Sequence, residues 1–213
     1  MRRSLAPLVT TTAATAAILC ALVALATRVA ADDASQAAKL YELLELKPDM
    51  AIADIGAGSG EMTILMAKRM NASGKVYSTD INQDRLTEIR AAASRDHLDN
   101  IVVVEGAEKA TNLPDLCCDA IFIRNVYHHF SDPPAMNRSL LAALKPGGRL
   151  AIIDFVPRRG SELPAGAPAD RGGHGVTADV VNGELTAAGF TRVQTIDNWD
   201  GSRGEFLVLF RKN

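Results

Sequence analysis

The sequence predicts an α/β fold: a doubly wound, mostly parallel seven-stranded sheet that closes with an antiparallel C-terminal hairpin strand. Three observations carry this. Apolar, β-branched runs alternate with stretches of helical periodicity from Met50 to Phe155, the pattern of a parallel sheet covered on both faces. Right-handed crossovers between such strands force double winding. The last two runs, Thr191–Asp197 and Glu205–Phe210, stand too close together for a crossover helix and must pair antiparallel.

The composition agrees. Of 213 residues 47% are hydrophobic and 23% charged, enough for a packed core and contrary to global disorder. No Lys/Arg run follows the N-terminus, so nucleic acid is not an expected partner.

Residues 1–31 differ from the rest. Arg2 and Arg3 precede an uncharged stretch from Ser4 to Thr27, most apolar over Ala16–Ala26, and small residues follow to Ala31. This is the layout of a secretory signal peptide cleaved after Ala31, leaving a single domain, 32–213. The alternative is an uncleaved membrane anchor, since the stretch is just long enough to span a bilayer. Arg2 and Arg3 favour an inward N-terminus and a body outside the cytoplasm, periplasmic or otherwise extracytoplasmic; an anchor with the body facing inward is the alternative. Cys20 does not mark a lipoprotein, because apolar residues continue past it. Losing Arg2, Arg3 and Arg28 from 23 basic residues, against 25 acidic ones, leaves a formal charge of −5. Cys117 and Cys118 are adjacent and read as small apolar residues leading into a strand.

Within the domain, Ser35–Leu46 has helical periodicity and ends before Lys47-Pro48. Met50–Ile55 is the first strand. Gly56, Gly58 and Gly60 follow it and open a helix carrying Met62, Leu65, Met66 and Met70 on one face. Val76–Asp80 is the second strand, Gln83–Arg95 a helix, Ile101–Val104 the third strand and Asp119–Arg124 the fourth. Pro134–Leu144 is helical, Lys145-Pro146-Gly147-Gly148 a sharp turn, and Leu150–Phe155 the fifth strand. Residues 158–175, rich in Pro, Gly and Ala, form a long loop of the kind that serves as a lid. Thr177 caps a helix that stops at Gly189.

A strand running into a Gly-rich turn and then a helix is a ligand cradle, since glycine lets backbone approach closely and the helix offers unpaired N–H groups. In such sheets the ligand lies beyond the carboxyl ends of the strands, at the switch between the first and fourth. The spacing is G-x-G-x-G, with Glu61 where a dinucleotide fingerprint places its third glycine. Asp80 lies 20 residues after Gly60 at the tip of the next strand, placed to accept from ribose hydroxyls; capping the following helix is its alternative role.

DIGAGSG, STDIN with Asp80, and LKPGGRLAIIDF together resemble the motifs of class I S-adenosylmethionine-dependent methyltransferases, over about residues 35–213. RNVYHHFSDP, GHGVT and ELTAAGF further resemble a group of small bacterial methyltransferases that often carry export signals. The resemblance implies a Rossmann-like fold and methyl transfer from S-adenosyl-L-methionine to an acceptor. It also implies that Asp54, Gly56, Ala57, Gly58 and Gly60 cradle the methionine part and ribose. Asp80 would hold the ribose and Ile81 would pack on adenine. Gly106, Ala107 and Glu108 would contact adenine. Many relatives have Gly-Asp-Ala there, so a backbone N–H is the expected contact. Asn125 and Val126 would line the site beneath the methyl.

Such chemistry needs alignment and exclusion of water, and a general base only when the acceptor must lose a proton; no metal is required. Tyr127, His128 and His129 sit just past the fourth strand and His174 on the loop before the last helix. These are the candidate catalytic residues, His128 first and His174 second, against a purely structural role for each histidine. Asp154, ending the fifth strand, is a further crevice candidate, or a solvated strand end. An NAD-dependent oxidoreductase is the first rival, lacking its third glycine and a Tyr-x-x-x-Lys pair; a non-catalytic S-adenosylmethionine-binding protein is the second. With only the N-terminal helix and the 158–175 loop to shape a pocket, the expected partner is a small molecule. Cytosolic synthesis of the cofactor stands against the export expectation.

Overall fold

The computed structural model describes residues 32–158, 160–201 and 203–213. The expected leader, 1–31, lies outside the described residues. Among them, no helix is long and apolar enough to cross a membrane.

The chain runs α1 (32–43), β1 (Ala51–Ile55), α2 (Glu61–Ala67), β2 (Lys75–Asp80), α3 (Gln83–Arg95), β3 (Ile101–Glu105), β4 (Cys118–Arg124), α4 (Pro133–Ala143), β5 (Leu144–Phe155), α5 (Ala178–Ala187), β6 (Phe190–Asp197) and β7 (Glu205–Lys212). Short 3₁₀ turns lie at Tyr127–His129, Ala169–Arg171 and Trp199–Gly201. The seven strands form one sheet in the order β3-β2-β1-β4-β5-β7-β6. β1 to β5 are parallel, and β7 is antiparallel to both β5 and β6. The chain reverses its direction of travel across the sheet between β1 and β4, as expected, and the antiparallel strand sits one place inside the edge.

Strand alternation divides the core between the two faces. Ala53, Ile55, Ile121, Ile123, Leu150 and Ile152 face α4 and α5, meeting Leu140, Val181 and Leu185. Ile52, Phe122, Ala151 and Ile153 face α1 and α2, meeting Leu40, Met62 and Met66. Both faces of the central strands are therefore dry, which is why these strands read as continuous apolar runs.

Local chemistry sets several boundaries. α4 starts one residue earlier than expected because Asp132 caps it, accepting from Ala135 N–H, and Pro133 occupies the first turn, where its missing N–H is harmless. The side chain of Thr177 caps α5 as expected. α1 ends at residue 43 rather than at Leu46, and Glu45 takes φ +53° in the turn that follows.

One expectation needs correction. Lys145–Gly148 is not a turn ahead of the fifth strand. Leu144 already pairs with Cys118 and Arg149 with Ala120, so the four residues are absorbed as a bulge inside β5, with Gly147 at φ +77°. Among its described residues, the 158–175 loop is tied to the body of the domain near its C-terminal end. Arg171 is buried and bonds Glu184, Val176 N–H donates to Phe155 O, and a Cβ on Gly175 would lie 2.7 Å from that same carbonyl. Cys117 and Cys118 are free thiols, Cys118 fully buried at the start of β4.

Candidate functional site

β1 delivers Asp54 to the carboxyl edge of the sheet, and the Gly-rich turn begins two residues on. Gly56 and Ala57 N–H both donate to Thr79 O at 2.8 Å, which stitches the turn to the end of β2. Gly56, Gly58 and Gly60 all have positive φ. A Cβ on Gly56 would lie 2.6 Å from Val126 Cγ1, whereas one on Gly58 would meet nothing within 4 Å. The first glycine is demanded by packing; the second leaves its side-chain direction open.

Two cavities flank the turn and share Gly56. The larger, about 570 Å³, is lined by Ile55, Thr79, Asp80, Ile81, Gly106, Ala107 and Glu108 on one side. Val126, His129, Phe130, Ser131 and Met136 complete it, with Ala165 and Gly166 from the long loop. The smaller, about 240 Å³, is lined by Asp54, Ala57, Gly58, Ser59, Glu61, Arg85, Arg124 and Asn125. One is mostly apolar with acidic residues at its rim; the other is polar and carries both signs of charge.

Asp80 spans turn and helix: its Oδ2 accepts from Gly58 N–H and its Oδ1 from Asn82 N–H, each at 2.9 Å. The helix cap itself is the Asn82 side chain, so the alternative reading of Asp80 as the cap of α3 does not hold. Ile81 is 64% exposed and lines the larger cavity. Gly106 N–H already bonds Asp80 O and Ala107 N–H bonds Ala110 O, so the backbone contact expected from this segment cannot come from these two groups. Glu108 remains on the cavity wall. Asn125 adopts φ +57° and projects at the smaller cavity.

Asp54 is buried behind the turn. Thr63 Oγ1 donates to its Oδ2 at 2.7 Å, and Ser78 Oγ lies 2.8 Å from Thr63 Oγ1. Burial pushes the Asp54 carboxyl up to about 7, against the opposing pull of the Thr63 bond and the Arg124 charge. Arg124 is in turn paired with Asp33 of α1, which ties the first helix to the smaller cavity. Neither the Thr63–Ser78 support nor the Asp33 pairing has a local sequence signal, since their partners lie far apart in the chain.

The four candidate catalytic residues separate. Tyr127 turns into the core: its hydroxyl donates to Glu184 Oε2 at 2.8 Å and accepts from Asn137 Nδ2 at 2.8 Å, with the Arg171 guanidinium over the ring. Burial holds its phenol well above the usual range. This placement corrects the expectation of an active Tyr127. Asp154 is likewise no solvated strand end. It is fully buried and accepts from His128 Nδ1 at 2.8 Å, His128 N–H at 3.1 Å and Phe155 N–H at 2.9 Å.

The three histidines come together. His174 Nε2 lies 3.0 Å from His128 Nε2, and one donor nitrogen from each of His128, His129 and His174 lies within 4.8 Å of the others. His128 is buried, while His129 and His174 are exposed. Burial, then the neighbouring His128 and His174, holds the His129 imidazole below its ordinary value, so it is neutral near pH 7 and can accept a proton.

Residues 46–188 match the family model of a methyltransferase domain. A ubiquinone/menaquinone biosynthesis C-methyltransferase from Shewanella frigidimarina is 29% identical over 116 residues, covering 54% of this chain and 46% of the relative. The chain thus matches about half the length of the curated relatives it resembles. Among solved structures, an S-adenosylmethionine-dependent methyltransferase from Aquifex aeolicus superposes with a TM-score of 0.68 at 24% identity, covering 83% of this chain and 89% of that one. The cyclase SpnF gives 0.69 at 16% identity, over 84% and 81%. These two likenesses carry the fold.

Proposed function

The chain belongs to the methyltransferase-domain family, and from that premise we propose that it transfers a methyl group from S-adenosyl-L-methionine to a small-molecule acceptor. The single observation that carries the reading is the Asp80–Gly58 linkage beside an exposed Ile81 on the larger cavity.

The residues fit the cofactor. Asp80 offers a charged acceptor to ribose hydroxyls, and Ile81 offers an apolar face to a planar base. The space open at Gly58 is where a side chain would otherwise intrude. Asp54 and Glu61 can take an ammonium and Arg85 and Arg124 a carboxylate, which suits an amino-acid tail in the smaller cavity. Gly56, common to both cavities, would lie where the two halves of the ligand join.

When bound, the cofactor supplies an electrophilic methyl on a sulfonium, and the reaction is a displacement at that carbon. The protein's share is alignment and dryness. Phe130, Met136 and Val126 make an apolar wall, and Ala165 and Gly166 bring the fastened loop over it. His129, on the same wall and held neutral, is the group placed to take a proton from an acceptor that must lose one. The mostly apolar lining favours an acceptor with an apolar body. Residues 1–31 are proposed as an export signal on their charge and hydropathy layout, which N-terminal sequencing of the mature protein tests.

Binding of S-adenosylmethionine and of NAD is compared by isothermal titration, followed by methyl transfer from labelled cofactor to a panel of small acceptors. Tighter binding of NAD would return the oxidoreductase reading; cofactor binding without transfer to any acceptor would support a binding protein.

A further inference from the structure

Three of the chain's four histidines meet at one point, from two segments 45 residues apart. We propose that His128, His129 and His174 form a binding site for a first-row divalent transition ion such as zinc.

The donor spacing suits an ion. In a tetrahedral zinc site with bonds of about 2.0–2.1 Å, neighbouring ligand nitrogens stand about 3.3 Å apart. His128 Nε2 and His174 Nε2 are 3.0 Å apart, and the third nitrogen is within 4.8 Å of both; binding requires the exposed His129 ring to move in. The rings converge instead of stacking: interplanar angles are 40° for His128–His129, 56° for His128–His174 and 68° for His129–His174.

The support behind the donors is what metal-ligating histidines have. Asp154 Oδ1 accepts from His128 Nδ1, so the proton sits on Nδ1 and the Nε2 lone pair faces the other two rings. Asp154 is itself held by Phe155 N–H and His128 N–H, which leaves the carboxylate little freedom to release the ring. His174 is placed from its own backbone: its N–H donates to Ser161 Oγ at 2.8 Å and its carbonyl accepts from Arg158 N–H at 3.2 Å. Phe155 packs on His128 and His174 at 4.8 and 5.6 Å between centroids, an apolar flank that limits water.

The bland alternative is a ring cluster closed by one Nε2–Nε2 hydrogen bond. It accounts for His128 and His174, with Asp154 fixing the His128 tautomer in both cases, but it does not explain why a nitrogen of His129 also lies within 4.8 Å of the other two. Three imidazoles supply three ligands and leave a fourth position open. Because His129 is part of the wall of the larger cavity, that position is within reach of a molecule held there; an ion there occupies the His129 lone pair, so the metal-bound protein would not use His129 as its proton acceptor.

Zinc affinity of the untagged protein is measured by competition with a chromophoric chelator, and cobalt(II) serves as a spectroscopic probe. One ion per chain is expected, with the visible absorption of a four-coordinate nitrogen site. His129→Ala and His174→Ala, both at exposed positions that spare the core, should each weaken zinc by more than the loss of an outer partner does, that is by over about 100-fold. Asp154→Asn should weaken it by about 10–100-fold, the effect of losing a histidine's outer partner. His97→Asn, away from the cluster, should bind as the parent does. Zinc affinity unchanged in the His129→Ala/His174→Ala double variant overturns the proposal, as does loss of the ion only when Cys117 and Cys118 are changed to serine.

Discussion

Asp80 Oδ2 accepts the Gly58 N–H at 2.9 Å, joining the middle of the Gly-rich turn to the tip of the next strand across 22 positions. The bond sets the carboxylate at the rim of the larger cavity, with lone pairs left over for hydroxyl donors. Asp80→Ala should weaken S-adenosylmethionine by about 10- to 100-fold, the equivalent of about 1.5–3 kcal/mol for hydrogen bonds to a charged group. Isothermal titration reads this directly, and an unchanged affinity would move the ribose elsewhere.

The buried Asp54 makes stability fall as pH rises. Its carboxyl is raised from 3.8 to about 7, so the folded protein holds this proton more tightly than the unfolded chain. The contribution is full below about pH 4 and is lost as pH climbs through 7; it amounts to about 4 kcal/mol across that window. Thr63, Arg124, Asp80 and Glu61 are the groups that face it, and their balance leaves burial dominant. Asp54→Asn, which keeps an acceptor for Thr63, should be more stable than the parent at pH 8, with the gap closing toward pH 4. Urea titrations without cofactor at the two pH values test it; a constant gap would mean that Asp54 titrates normally.

Gly56 and Gly58 should fail in different ways. At Gly56 a methyl would press on Val126 at φ +70°, so Gly56→Ala should cost about 2–3 kcal/mol and lower Tm by roughly 5–10 °C. At Gly58 the methyl meets open space, and Gly58→Ala should cost only about 1 kcal/mol of backbone strain. Its larger effect should be on cofactor affinity. Calorimetric melting paired with titration separates the two, and equal losses of stability would refute the distinction.

Tyr127→Phe tests whether the tyrosine is structural. Removing the hydroxyl strips a partner from buried Asn137 and from half-buried Glu184, and about 1–2 kcal/mol of stability should go with it. Cofactor affinity should not move. A collapse of activity at full stability would instead return Tyr127 to the reaction.

The periodic parts of the chain were legible. α3 runs Gln83–Arg95 as its pattern predicts, and the β1–β4 switch follows from the alternation of strands and helices. The place of Asp80 at the tip of β2 was legible because it depends on distance from the glycines along one strand–turn–helix unit. Lys145–Gly148 misled because Pro and Gly punctuate a bulge as readily as a turn, and only the pairing of Leu144 with Cys118 tells the two apart. Tyr127 misled because a position just past a strand end says nothing about which way a side chain points.

What the sequence by itself determined is the set of groups carried on short-range geometry: the Gly-rich turn, the acid at the end of β2, the alternation that buries both faces of the sheet. These follow from steric and hydrogen-bonding rules that act within a few residues. The tertiary structure alone decided the encounters between distant segments. It set Asp154 behind His128, His174 across from it, Glu184 on Tyr127 and Asp33 on Arg124. Those pairs form only when the fold closes, and no local pattern encodes which of two strand ends a loop will reach.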